Sequence, residues 1–119
     1  MSAPIITPAR TAARERRREA HARCLAAAAS LAPGRRVSVD VDAVPLWTGA
    51  PRAEGSTLRY VATAWPSPDW CPESIASAEG APLAWGDDTQ STVAEGLARA
   101  VEALADEMDR RVAEGRVSA

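Results

Sequence analysis

The residues best suited to chemistry are arginines near the start of the chain. A guanidinium group binds phosphate or carboxylate groups through paired hydrogen bonds, so clustered arginines are candidate contacts for nucleic acid or for a protein partner. Glu15 and Glu19 interrupt the cluster and can pair with arginines three or four residues away, which is the alternative use of these charges. The candidate contacts are Arg10, Arg14, Arg16, Arg17, Arg18 and Arg23.

A pair of aspartates offers a different chemistry. Asp40 and Asp42 are two positions apart among alternating valines, so both carboxylates would point to one face of a strand. Such a pair can hold a divalent metal in phosphoryl transfer, and Asp87 and Asp88 could add carboxylates. The same pattern is typical of the solvated face of an amphipathic strand. We favour the solvated face and predict no metal site.

Nucleophilic catalysis has little support in the sequence. His21 is the only histidine, and only Glu19 is near enough in sequence to orient it as a base. His21 and Cys24 have a spacing that suits zinc, but only the distant Cys71 could join them. The chain has no lysine, which excludes Schiff-base chemistry and a Walker site. We predict no catalytic residue, no cofactor, and a buried core position for Cys24.

The charges of the chain are segregated. Residues 1–36 hold eight arginines and two glutamates, which gives +6, whereas residues 37–119 hold six arginines and fourteen acids, which gives −8. A basic head on an acidic body is typical of a nucleic-acid arm or of self-association between head and body. A solvated surface helix is the plainer interpretation.

Length and composition indicate one small domain. The chain has 119 residues, of which 27 are alanine, with four tryptophans, one tyrosine and no phenylalanine. The core is therefore predicted to be thin, and a homodimer would strengthen it. No apolar run approaches the roughly 20 residues that span a bilayer, and no signal peptide is recognised, so we expect a cytoplasmic protein without a membrane partner.

The pattern of elements predicts an α+β fold in the order α-β-β-β-α. Residues 1–8 are predicted to be a flexible tail, residues 9–33 an arginine-rich helix and residues 34–119 a small α+β domain. Two predicted strands, at 37–42 and 57–65, form a hairpin, and residues 82–85 form a last strand. Residues 75–78 fit either a strand or a turn of helix. A long C-terminal amphipathic helix then packs on the antiparallel sheet.

Both helices have predicted packing faces. Four apolar residues at helical spacing give the first helix a narrow apolar stripe on its second half only: Ala20, Cys24, Ala27 and Leu31. We therefore expect that half to dock and the basic half to project, with Arg10, Arg14, Arg17 and His21 on one side. The stripe of the last helix is Val93, Leu97, Val101, Leu104, Met108 and Val112. Trp47, Trp65 and Trp85 are expected to cover it from the sheet.

Single residues mark the ends of the last helix. Thr92, with Glu95 three residues later, forms a capping-box pattern that predicts the N-cap, and Ser91 is an alternative cap. Gly115 is a natural residue just past the C-terminal end. Gly96 lies inside the predicted helix, where glycine costs about 1 kcal/mol relative to alanine. We expect it to mark a close approach of the helix to the sheet.

The stretch from Tyr60 to Leu104 carries a family resemblance. Tyr60 to Ala64 is an aromatic-led strand, Glu79 to Leu83 stands near a turn, and Thr92 to Leu104 has the register of the helix. These segments resemble the HicB antitoxin family, although the family's Gly-Tyr and Pro-Gly-Cys turn are missing. The resemblance implies a β-β-β-α fold similar to double-stranded-RNA-binding domains. It also implies a non-catalytic protein that covers the surface of a toxin, often as a DNA-binding oligomer.

Three functions follow as hypotheses. The first is a small non-catalytic interaction module that neutralises or regulates a protein partner, with Trp70 in a proline-rich stretch as a partner-binding anchor. The second is a nucleic-acid-associated protein that binds through the arginine-rich helix. The third is a metal-dependent phosphoryl-transfer enzyme around Asp40 and Asp42. We favour the first and expect no enzyme.

Overall fold

Two helices lie on one face of a small antiparallel sheet, in the predicted α+β arrangement. The computed structural model describes residues 8–43, 57–66, 73–84 and 88–118. Residues 1–7 of the tail predicted at 1–8, and Trp47, Trp70, Cys71 and Trp85, lie outside these ranges, whereas Pro8 belongs to the first helix. The elements are α1 (Pro8–Leu31), β1 (Val37–Ala43), β2 (Thr57–Leu58), β3 (Tyr60–Pro66), β4 (Ala76–Glu79), β5 (Leu83–Ala84) and α2 (Thr89–Ser118).

The main sheet has three antiparallel strands in the order β1-β3-β4. Val39 lies opposite Ala64 across the first pair, and Thr63 lies opposite Ser77 across the second. The predicted hairpin between the first two strands is confirmed, and the undecided segment near residue 76 is a strand. The predicted strand 57–65 is interrupted at Arg59, because residues 57–58 pair with β5 in a separate two-stranded ladder.

Alternation along the strands separates a helix-facing side from an outer side. Ala62 and Ala64 of β3 and Ala76 of β4 are buried toward the helices. Trp65 has the opposite parity and is only half-buried on the outer side, opposite Ser38. The expectation that Trp65 supplies the core is therefore wrong. Alanines of β3 and β4 fill that role instead.

The two helices run side by side in parallel over the length of α1. Arg10 of α1 lies near Asp88, before α2, and Arg23 lies near Asp106, more than four turns further along α2. Ala13, in the basic half of α1, is as well buried as Ala20 and Cys24. The basic half therefore does not project, because its small residues and its ion pairs both hold it against α2.

Close approach between elements depends on two glycines. A Cβ atom on Gly96 would lie 2.8 Å from ring carbons of Tyr60, so the predicted close approach is confirmed. A Cβ atom on Gly80 would lie 2.7 Å from the backbone nitrogen of Ala100. Real Cβ atoms do not tolerate such contacts, so larger residues at these positions would push α2 away from the sheet.

The ends of the helices differ partly from their predicted positions. Asp88 is the N-cap of α2: its carboxylate accepts a hydrogen bond from the Gln90 amide at 3.1 Å. Thr92 is buried inside the first turn, where its hydroxyl donates to the Asp88 carbonyl, so the cap predicted there is wrong. The helix also continues through Gly115 to Ser118. Gly34, with φ of 76°, follows α1 in the left-handed conformation.

Candidate partner-binding groove

One flank of α1 is joined to α2 by ion pairs. The Arg16 guanidinium donates to Glu95 at 2.6 Å and to Glu102 at 2.5 Å. About two turns further along α1, Arg23 donates to Asp106 at 2.8 Å and to Asp109 at 2.7 Å. We call Arg16 and Arg23 the paired row. Each of these arginines bridges two acids of α2, so the acidic body neutralises part of the basic helix.

The opposite flank of α1 carries a second line of basic residues. Arg14, Arg17, Arg18 and His21 are exposed, and none of their side chains has a hydrogen bond or ion pair within the part of the chain that the structure describes. We call Arg14, Arg17 and Arg18 the open row. The separation follows from helical geometry, since positions 14, 17, 18 and 21 lie on one side of the buried stripe and 16 and 23 on the other.

A groove lies beside the open row. Its wider part, about 390 Å³, lies between the open row with His21 and the valines Val39, Val41 and Val101. A second part, about 330 Å³, adjoins it toward the start of α2, where Val93 and Leu97 contribute to the floor. Arg14 and Arg17 line both parts, so the two parts are neighbours along α1. It has a basic wall and an apolar floor.

The electrostatic effect of the paired row is local. Hydrogen bonds from Arg16 hold the pKa of Glu95 below its usual range, and Glu102 and Glu95 together raise the pKa of Arg16. Asp106 and Asp109 raise the pKa of Arg23 in the same way. These acids are therefore engaged by the paired row on one flank of α1. The open row is left as the basic surface of the helix.

Other candidate residues occupy places that suit packing or solvation. Cys24 is buried as predicted, its Sγ lies 3.8 Å from the Val101 carbonyl oxygen, and burial raises the pKa of its thiol to about 11. Asp40 and Asp42 are exposed on the outer side of the sheet. Within the described ranges, no three histidine, cysteine, aspartate or glutamate side chains are grouped to hold a metal.

The structure groups some of the predicted site residues and separates others. Arg14, Arg17 and Arg18 stand together at the groove, Arg16 and Arg23 face α2, and Arg10 lies 3.6 Å from Asp88. Val93 and Leu97 line the groove, although their whole stripe was predicted to belong to the core. No local pattern separates them from Val101 and Leu104, because all four recur at helical spacing.

Among the helices of the described residues, neither is long and apolar enough to cross a membrane. No family model, curated protein or solved structure was found to match the chain.

Proposed function

We propose that the protein is a small, non-catalytic interaction module that binds an acidic protein partner through the groove beside the open row. In this role it neutralises or assists its partner in the cytoplasm, in the manner that the resemblance to HicB antitoxins implies. The observation that carries the proposal is the contrast within one helix. Arg16 and Arg23 each bridge two acids, whereas Arg14, Arg17 and Arg18 face an apolar-floored groove without a described partner.

The arginines of the open row repel one another, and a partner with carboxylates would reduce this repulsion. Arg14 and Arg18 are four residues apart on one helix, and like charges at that spacing repel by a few tenths of a kcal/mol. Carboxylates of a partner would offset this repulsion and form charge-assisted hydrogen bonds with the guanidinium groups. The apolar floor adds a term that does not depend on charge, since burying it removes apolar surface from water.

The apolar floor favours a protein over a nucleic acid. A polyanion would use the three guanidinium groups, which span about 6 Å of helix, but it would leave Val39, Val41 and Leu97 without apolar partners. A protein segment can match both the basic wall and the floor.

Nucleic-acid binding is the second candidate, and the open row itself is the observation in its favour. Three arginines that contact phosphates would give a plot of log affinity against log salt concentration with a slope of about −3. If the protein instead binds a protein partner and log affinity changes less steeply with log salt concentration, the first candidate is favoured. The expected homodimer stays a prediction, and sedimentation of the purified chain would test it.

Affinity purification from the native host tests the proposal. The tagged protein is purified at moderate salt with nuclease present, and the co-purifying protein is quantified for the unmodified chain and for R14A/R17A/R18A. We expect a stoichiometric protein that resists nuclease and falls about tenfold or more with the triple variant, because interface arginines are frequent hot spots.

A matched control separates the groove from net charge. The variant R35A/R36A/R110A removes the same total charge from positions that do not line the groove, and it should retain the partner. Equal loss in both variants would show that the attraction is nonspecific. Capture of nucleic acid alone, lost on raising salt, would replace the proposal with the second candidate.

A further inference from the structure

We infer that the groove receives one face of an amphipathic, acidic α-helix of the partner. This inference rests on the proposed function and adds the shape of the bound segment. A helix-in-groove complex needs an apolar channel with charge along its side. The described surface supplies both, with Val93 and Leu97 in the floor and the open row as the wall.

The floor and the wall run in the same direction. Val93, Leu97 and Val101 recur at four-residue intervals on α2, so they form a line about 12 Å long. Since α1 and α2 are parallel, the open row follows this line along its side. A ligand that fits must therefore present apolar groups in a row with carboxylates beside them. An amphipathic helix has this arrangement, with apolar residues three and four positions apart and acids on the flank.

The degree of burial changes along the line. Val101 is 2 % exposed and belongs to the core, whereas Leu97 and Val93 are only half-buried. The core stripe of α2 thus emerges into the groove toward the start of the helix. Apolar side chains of the partner would continue the packing that Leu104 and Met108 complete further along α2.

The part of the groove toward the start of α2 offers little to an extended segment. Its lining residues all come from α1 and α2, whose interior backbone groups are hydrogen-bonded within each helix. An extended peptide that binds over this part of the floor would leave backbone donors and acceptors without partners, which costs free energy. A helix satisfies its own backbone and can bury its apolar side chains without that cost.

Two synthetic peptides test the inference with the full-length protein. The first has about 18 residues, with leucines at helical spacing on one face and glutamates on the flanks. The second has the same composition, but its leucines are distributed around the helix. Fluorescence anisotropy of labelled peptides measures both affinities at physiological salt. We expect the first peptide to bind at least about tenfold more tightly, a difference of about 1.4 kcal/mol.

Substitutions in the floor connect the binding to this site. Leu97→Gln should weaken the amphipathic peptide about fivefold or more, because the peptide's leucines lose an apolar contact. Leu25→Gln is the matched control, since Leu25 is 42 % exposed on α1 and lines neither part of the groove. Circular dichroism checks that both variants fold. If Leu97→Gln unfolds the chain, Val93→Thr provides the same test at a half-buried position.

The outcomes separate the two levels of the proposal. Equal affinity of the two peptides, including no binding by either, overturns the helix inference. If the host partner is still lost in R14A/R17A/R18A, the proposed function stands while the helix inference falls. If the host partner is unaffected by that variant, both fall. Tighter binding of a single-stranded oligonucleotide than of the amphipathic peptide also overturns the inference.

Discussion

The two flanks of α1 carry the same residue type in different surroundings. On one flank, Arg16 and Arg23 reach acids of α2 at 2.5 to 2.8 Å. On the other flank, Arg14, Arg17 and Arg18 stand over an apolar floor without a described partner. The difference comes from what lies opposite each flank rather than from α1 itself.

This contrast explains how a strongly basic helix can belong to a small fold with an acidic body. The acids of α2 are placed toward the paired row, whereas the valine and leucine stripe of α2 lies toward the open row. The net charge of α1 does not reveal this division, because it sums the charges of both flanks. It also gives the two rows separable roles, in stability and in partner binding.

The largest expected effect is on the core that both flanks share. Leu104→Ala should lower the free energy of unfolding by about 2–5 kcal/mol, because Leu104 is fully buried between α1, α2 and the sheet. Urea denaturation measures the change. Leu25→Ala is the control and should change stability little, since Leu25 is 42 % exposed. Similar losses in both variants would contradict the assigned core.

The next effect concerns the thiol at the centre of the helix pair. Burial raises the pKa of Cys24 to about 11, so a thiol reagent at pH 8 should react with it more than about a hundredfold more slowly than in the unfolded chain. A Cys71→Ser background restricts the signal to Cys24. Breaking the paired row with R16A/R23A should speed labelling, whereas R14A/R17A should not. Equal rates in the two variants would show that the paired row does not hold the helices together.

A smaller effect is expected with acid. Hydrogen bonds from Arg16 lower the pKa of Glu95 in the folded state, so this pair contributes stability above the unfolded pKa of about 4.3, and the contribution is lost as the pH falls through the lower folded value. In the unmodified chain, the urea concentration at the midpoint of unfolding should decrease as the pH is lowered from 6 to 3. Arg16→Ala should make the urea midpoint less dependent on pH, because Glu95 then loses its hydrogen bonds from Arg16.

Glu107 provides an internal reference for the acid experiment. Arg110 and Arg111 lower its pKa to about 2, and neither arginine belongs to α1. The part of the acid dependence due to Glu107 should therefore persist in Arg16→Ala. An unchanged pH profile in that variant would mean that Glu95 does not couple α1 to α2.

The fold was largely predictable because its signals are local. The stripe of Ala20, Cys24 and Ala27 and the alternation of valines in β1 each identify a buried face from neighbouring residues alone. Trp65 was misassigned because strand periodicity shows which residues share a face but not which face the helices cover. The N-cap was misplaced by three residues or more because Thr92 and Asp88 are both good cap residues.

The site was less predictable because it depends on contacts distant in sequence. Arg16 meets Glu95 and Glu102 across at least 79 positions, and nothing near Arg16 in the sequence distinguishes it from Arg17. The helical side that holds Arg10, Arg14, Arg17 and His21 was visible from spacing. Whether the opposing surface was acidic or apolar required the tertiary structure.

The most direct test of the central claim compares one pair from each row in two measurements. R14A/R17A and R16A/R23A remove the same charge from the same helix, and each is assayed for thermal stability and for affinity toward the amphipathic acidic peptide. We predict that R14A/R17A keeps its stability and loses about tenfold in affinity, whereas R16A/R23A loses about 1 kcal/mol of stability and binds as before. Equal behaviour of the two variants in both measurements would contradict the division of α1 into a structural flank and a binding flank.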